Sequence, residues 1–195
     1  MQRSAFLLLL LLVLLGSFAR VQAQARYLTK TGQVSFFSSA PIEDIEARNQ
    51  QVAAVLDLST AQLAFVVPIK GFVFKRALMK EHFNESYLES DKFPKATFTG
   101  HFVDLVAATL ATAGPHSVQV EGDLTIHGVT HHIQVPASLE VKGAQLQALA
   151  SFIVATADYG ISIPLLVRNS IAKEITVRVA LTSDAVTTAP ARPTN

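Results

Sequence analysis

Ser117-Val118-Gln119-Val120-Glu121-Gly122-Asp123-Leu124-Thr125-Ile126-His127 alternates polar residues with apolar or small ones from end to end. A period of two is the signature of a strand with one buried face, because successive side chains point to opposite sides of a sheet. His127-Gly128 then reads as a tight turn. Ile133, Val135, Leu139 and Val141 resume the period on a long return strand bent near Pro136. A tight turn at His127-Gly128 sets His131 opposite Leu124 and His132 opposite Asp123. The rest of the chain repeats the pattern. Leu146, Ala148, Ala150, Phe152 and Val154 form one inward row, and Ile175, Val177, Val179 and Leu181 form another. Upstream, Val34 to Phe36 begins a strand, and Val52, Ala54, Leu56 and Leu58 make a row. Leu63, Phe65, Val67 and Ile69 follow, continued by Phe72 and Phe74 past a bulge or bend at Gly71. Phe98 and Phe102 complete the set.

About eight strands are expected, with one interruption. Residues 76–89 read RALMKEHFNESYLE, with Met79, Phe83 and Tyr87 every fourth residue, which predicts one apolar stripe on a short helix. Phe93-Pro94 ends it. A second irregular piece is expected near residues 158–164. Eight antiparallel strands resolve into a sandwich or a closed barrel, and closure removes exposed edges. An eight-stranded barrel either fills with its own side chains or holds one small ligand. Ala54, Ala96, Gly100, Gly122, Ala148 and Ala150 leave both outcomes open. Small inward residues make room for a guest, or let large residues opposite them interlock. A bulky substitution at Ala148 or Gly122 would separate the two.

The N-terminus has a different character. Met1 to Ser4 is short and basic, Ala5 to Leu15 is wholly apolar, and small residues at Ala23 and Ala25 stand at cleavage spacing. This three-part layout predicts a signal peptide over residues 1–23, cut after Ala23 or after Ala25. The apolar run is shorter than the about 20 residues that span a bilayer. One domain is then expected over residues 24–186, with a disordered polar tail over 187–195. The domain would carry no integral membrane segment. Without Arg3 and Arg20, 14 basic residues face 15 acidic ones, and none forms a block. Nucleic acid is therefore not expected as a partner. There is no cysteine, so stability must come from the apolar core. Twelve Phe against three Tyr and no Trp point to a dry interior.

No arrangement of catalytic residues stands out. There is no Gly-x-Ser-x-Gly elbow and no Gly-rich phosphate loop. His127, His131 and His132 resemble a metal cluster in sequence only. Adjacent strand residues point to opposite faces, so no three ligands converge and no metal is expected. His127 is expected in the turn, bonded to neighbouring backbone. His82 is expected at the helix flank or a mouth, and His101 and His116 toward solvent.

Four segments, in order, resemble the YceI-like domain family: Thr31-Gly32-Gln33-Val34-Ser35-Phe36; His82-Phe83-Asn84 with Glu89 through Phe98; Leu124 through Thr130; and Asp158-Tyr159-Gly160-Ile161. The resemblance covers roughly residues 27–183. This chain departs from the family at His131-His132, where Arg-Pro or a similar pair is usual. It also departs at Ala40 to Ile45, which reads as a short helical or turn insert in place of a Gly-rich stretch. The resemblance implies a lipocalin-like antiparallel barrel in a periplasmic or secreted protein. Its elongated interior would take a polyisoprenoid, a quinone tail or a fatty amide. On that reading the chain is a carrier or reservoir rather than an enzyme. It requires no cofactor beyond a bound isoprenoid or long-chain lipid, and a homodimer is compatible with it. Phe65, Phe72, Phe74, Phe98 and Phe102 are expected to line the ligand, with Phe83 from the helix. Leu124, Ile126, Phe152 and Val154 complete the expected lining. The competing readings are a filled barrel serving stress protection or protein interaction, and an enzyme acting on a lipid-linked substrate.

Overall fold

A computed structural model describes residues 26–186. The expected signal peptide and the polar tail lie outside the described residues. The strands are β1 (Arg26–Ser39), β2 (Asp44–Asp57), β3 (Gln62–Pro68), β4 (Val73–Phe74), β5 (Lys95–Val103), β6 (His116–Ile126), β7 (Val129–Lys142), β8 (Gln145–Ala155) and β9 (Glu174–Ala185). They form an antiparallel sheet in the order β1-β9-β8-β7-β6-β5-β3-β2, and β1 pairs with β2 to close it. Eight strands thus make a barrel, and the two-residue β4 extends it beside β2. One end, the floor, holds the tight β2–β3 and β7–β8 turns and the β5–β6 connection. The other end, the mouth, holds the β1–β2 and β6–β7 hairpins and the two longest connections, residues 69–94 and 156–173.

The alternation in residues 117–127 forms β6 as expected. Val120, Gly122 and Leu124 are buried, while Gln119 and Asp123 are exposed. Leu124 pairs with His131 and Asp123 with His132, the register that the tight turn dictates. Both turn residues are left-handed, His127 at φ 51° and Gly128 at φ 76°. Histidine tolerates that region better than bulky or branched residues do. At Gly128 a side chain is also excluded, since a Cβ would stand 2.5 Å from the Phe93 ring.

β7 bends where expected, with a consequence for the site. Its ladder to β8 runs only from Ala137↔Ala150 to Lys142↔Gln145. Pro136 has no N–H to give, and the ladder stops beside it. Above Pro136, β7 stays with β6 while β8 stays with β9. The barrel therefore splays toward its mouth, and the connection after β8 fills the gap. His131 Nε2 lies 2.8 Å from the Asp158 carbonyl there, and the His131 and Tyr159 rings meet edge to face.

Three expectations are sharpened. The row through Phe65 does not run on past Gly71: β3 ends at Pro68, and Ile69–Gly71 is a 3-10 turn leading to β4. The irregular piece extends over residues 156–173, well beyond 158–164. Residues 40–43 are a plain turn, and Ile45 already belongs to β2. The helix is real but divided: α1 (Ala77–His82) continues into one π turn over Phe83–Tyr87.

Asn49 holds the β3–β4 corner. It is fully buried, its Nδ2 donates to the Pro68 carbonyl at 2.7 Å, and its Oδ1 accepts from the Gln51 amide at 2.8 Å. A buried amide with both ends satisfied is costly to truncate, because its partners stay buried. Asn49→Ala is expected to lower stability by about 2–3 kcal/mol, read as a lower urea midpoint at unchanged slope.

Candidate functional site

The barrel is solid at its floor and hollow above it. Leu56, Leu63, Leu139, Leu146 and Leu181 pack there with almost no exposure, and Leu110 from the β5–β6 connection joins them. Above them lies a cavity of about 470 Å3. Ile175, Val177, Val179 and Leu181 of β9 all line it. At roughly 3.3 Å per residue, the lined stretch of that strand is about 20 Å long. The void is therefore elongated along the barrel. It also explains a pattern in the burial. Ala150, Phe152, Val177 and Val179 face inward yet remain partly accessible, because their free surface borders the void.

All ten residues expected as lining border this cavity: Phe65, Phe72, Phe74, Phe83, Phe98 and Phe102, together with Leu124, Ile126, Phe152 and Val154. Phe65 and Phe98 stack at 5.7 Å between ring centroids, one on each of two paired strands. Toward the mouth, Phe36 sits in an aromatic group, 5.4 Å from Phe72, 5.8 Å from Phe74 and 5.5 Å from Phe83. The stripe of α1 and its π turn, Met79, Phe83 and Tyr87, faces the cavity as its four-residue spacing implies.

The lining was only partly anticipated. Phe36 lies on the same strand face as Val34, and that alternation was the signal for it. Ile163, Val167 and Ile171 line the mouth from the irregular connection, where no periodicity marks them. The polar lining residues are Ser38, Glu43, Arg76, His82, Tyr87, Thr97, Thr156 and Ser170. Every one belongs to the mouth half of the barrel by its position in the strands and connections. Arg76 pairs with Glu43, Ser38 Oγ accepts from the Ala172 amide at 2.9 Å, and the Thr156 hydroxyl donates to the Lys173 carbonyl at 3.2 Å. Burial pushes the Tyr87 phenol pKa above its ordinary value. The deeper walls offer no group to donate or take a proton.

Several histidines make structural contacts, His127 and His131 at the mouth and His116 at the floor. The His127 ring does not bond neighbouring backbone, as its turn position suggested. It reaches across to the Tyr159 carbonyl at 3.2 Å and the Glu89 carboxylate at 2.7 Å. The hairpin tip is thereby tied to both long mouth connections. His82 stands on α1 at the mouth. His101 is exposed and His116 is half-buried, with its Nε2 3.0 Å from the Thr112 carbonyl. His132 lies on the outer face between Asp123, at 2.8 Å, and Glu121, at 3.0 Å. The two carboxylates bond opposite ring nitrogens, so they do not converge on one point. Among the described residues no group of three or more His, Asp or Glu could hold a metal. Hydrogen bonds to Asp123, then to Glu121, raise the His132 pKa above its ordinary 6.5. A raised folded pKa adds stability below the unfolded value that is lost as pH rises through the folded one. An NMR titration should place His132 above 6.5, and Asp123→Asn should bring it down.

A family model described as YceI-like domain matches residues 17–183. No curated protein matches the chain. Among solved structures, a polyisoprenoid binding domain from Saccharophagus degradans, implicated in plant cell wall breakdown, is similar with a TM-score of 0.71 at 17% identity, over 84% of this chain and 99% of that one. Burkholderia cenocepacia BcnA is similar with a TM-score of 0.65 at 18% identity, over 77% of this chain and 95% of its own. The Campylobacter jejuni YCEI protein gives 0.61 at 15% identity, over 75% and 88%. These likenesses bear on the fold.

Proposed function

This chain belongs to the YceI-like domain family, and we propose that it is an exported binding protein, periplasmic or secreted, that holds one long apolar molecule inside its barrel. The ligand is a polyisoprenoid, a quinone tail or a fatty amide, and the protein is its carrier or reservoir. The observation that carries the reading is the elongated cavity of about 470 Å3 with apolar deep walls. That volume falls within the about 300–1,000 Å3 common for ligand sites. A hydrocarbon chain has no polar group to recognise, so its binding must come from buried area, about 0.8 kcal/mol per methylene before the cost of ordering the chain. Confinement of the polar lining to the mouth half suits a ligand whose head group stays at the opening. It also favours binding over catalysis, since proton-transferring groups do not reach the inner chain. The N-terminal basic, apolar and small-residue sequence supports export, and the likeness to a polyisoprenoid binding domain supports the ligand class.

The reading is tested by titrating purified protein, stripped of bound lipid, with prenyl alcohols of increasing length. Affinity should climb by at least about tenfold, and at most about a thousandfold, with each added isoprene unit until the cavity is full, then level off. It should change little when the alcohol is exchanged for an amide. Affinity that follows the head group and ignores chain length would contradict the reading.

A further inference from the structure

The rim of the cavity mouth is unusually apolar for a surface. Leu166 is 98% exposed, Leu165 72%, Ile42 71% and Leu78 60%. Each adjoins the cavity lining in sequence or belongs to it: Leu165 and Leu166 lie between Ile163 and Val167, Ile42 precedes Glu43, and Leu78 itself borders the void. Contacts join the three mouth segments that carry them. The Ile42 amide donates to the Asn169 carbonyl at 3.1 Å, and Glu43 pairs with Arg76 beside Leu78. The exposed residues therefore form a collar continuous with the tunnel. Beside the two leucines, residues 161–173 contain exposed Arg168 and Lys173 and no acid, while exposed Asp44, Asp158 and Glu174 stand at the ends of the mouth segments.

We propose that this collar docks the barrel, mouth first, onto a lipid bilayer containing anionic lipids. Leu165 and Leu166 enter the interface, and Arg168 and Lys173 meet the headgroup phosphates. Apolar side chains at an interface with basic neighbours are the physical recipe for such binding. The inference rests on the binding reading above and gives the tunnel its supply. A long apolar chain leaving a membrane through open water must expose every methylene on the way. A mouth sealed against the bilayer lets it slide from one apolar phase into another.

The test is cosedimentation with vesicles of phosphatidylethanolamine and phosphatidylglycerol. The purified chain is compared with its Leu165→Asn/Leu166→Asn variant, so residues 1–25 contribute equally to both. The variant should bind at least about tenfold more weakly. Arg168→Gln should weaken binding by about fivefold, an effect that fades in high salt. Both variants should melt as the parent does, because the replaced side chains are exposed. Equal sedimentation of parent and double variant would overturn the proposal. So would a dimer that these substitutions dissolve with vesicle binding unchanged, which would assign the collar to a second copy of the chain. Vesicle binding is read without added cargo, and cargo retention without vesicles, so failure of docking is told apart from failure of the binding reading.

Discussion

Ala150→Trp is expected to leave the barrel folded and to abolish retention of a long apolar ligand. Ala150 sits on β8 between Ala137 of β7 and Val179 of β9, and all three border the cavity. It is only half-buried although it faces inward, because its methyl group looks into the void. An indole there would extend across the tunnel midway between floor and mouth. If it displaces about five carbons of ligand, the loss is about 4 kcal/mol, or roughly a thousandfold in affinity. Stability should hold or rise slightly, since the new ring contacts wall atoms that now face space. A solid interior gives the reverse, with overpacking costing about 1–3 kcal/mol or more. Ligand titration and urea unfolding on the same variant read both quantities.

Gly122→Ala is expected to act the other way, lowering stability by about 2–3 kcal/mol whether or not ligand is present. Gly122 pairs with Gly100 across β5 and β6. A Cβ on Gly122 would lie 2.5 Å from the Gly100 Cα, 2.4 Å from the Thr99 carbonyl oxygen and 2.8 Å from the Phe98 ring. Two of those three are backbone and cannot swing aside. The glycine pair lets the two strands approach closely and seats the Phe98 ring over them. Gly122→Leu would therefore destabilise in a hollow barrel as much as in a filled one, and it cannot serve as the test that the sequence suggested. Gly100→Ala should cost a similar amount. The double substitution should fall short of the sum, because both methyl groups contest one space. Thermal unfolding of the three variants checks this.

Those two positions show what the sequence could and could not convey. Strand identity was legible wherever one face meets the interior and the other meets water, since burial then imposes a period of two. β6 and β9 are the clearest cases. The β6–β7 register followed from one tight turn. Whether small inward residues signal a void was not legible. Gly122 and Ala150 look alike in the pattern, yet one is small to admit Phe98 and the other leaves open space. The difference depends on strands that are distant in sequence. The mouth was hidden for another reason. Residues 156–173 follow no regular period, because they fill the gap between β7 and β8, which part at Pro136, so neither Val167 nor exposed Leu166 could be placed from spacing. Phe36 could have been assigned from its alternation with Val34. Its importance comes from Phe72, Phe74 and Phe83, which meet it only after the corner held by Asn49 turns back over the opening.

The most direct measurement is organic extraction of the protein purified from its own exported fraction, followed by mass spectrometry against a protein standard. The account predicts close to one long-chain isoprenoid or comparable amphiphile per barrel, and none from the Ala150→Trp variant. Recovery of only buffer components from the parent protein, with its cavity still open to added probes, would contradict it.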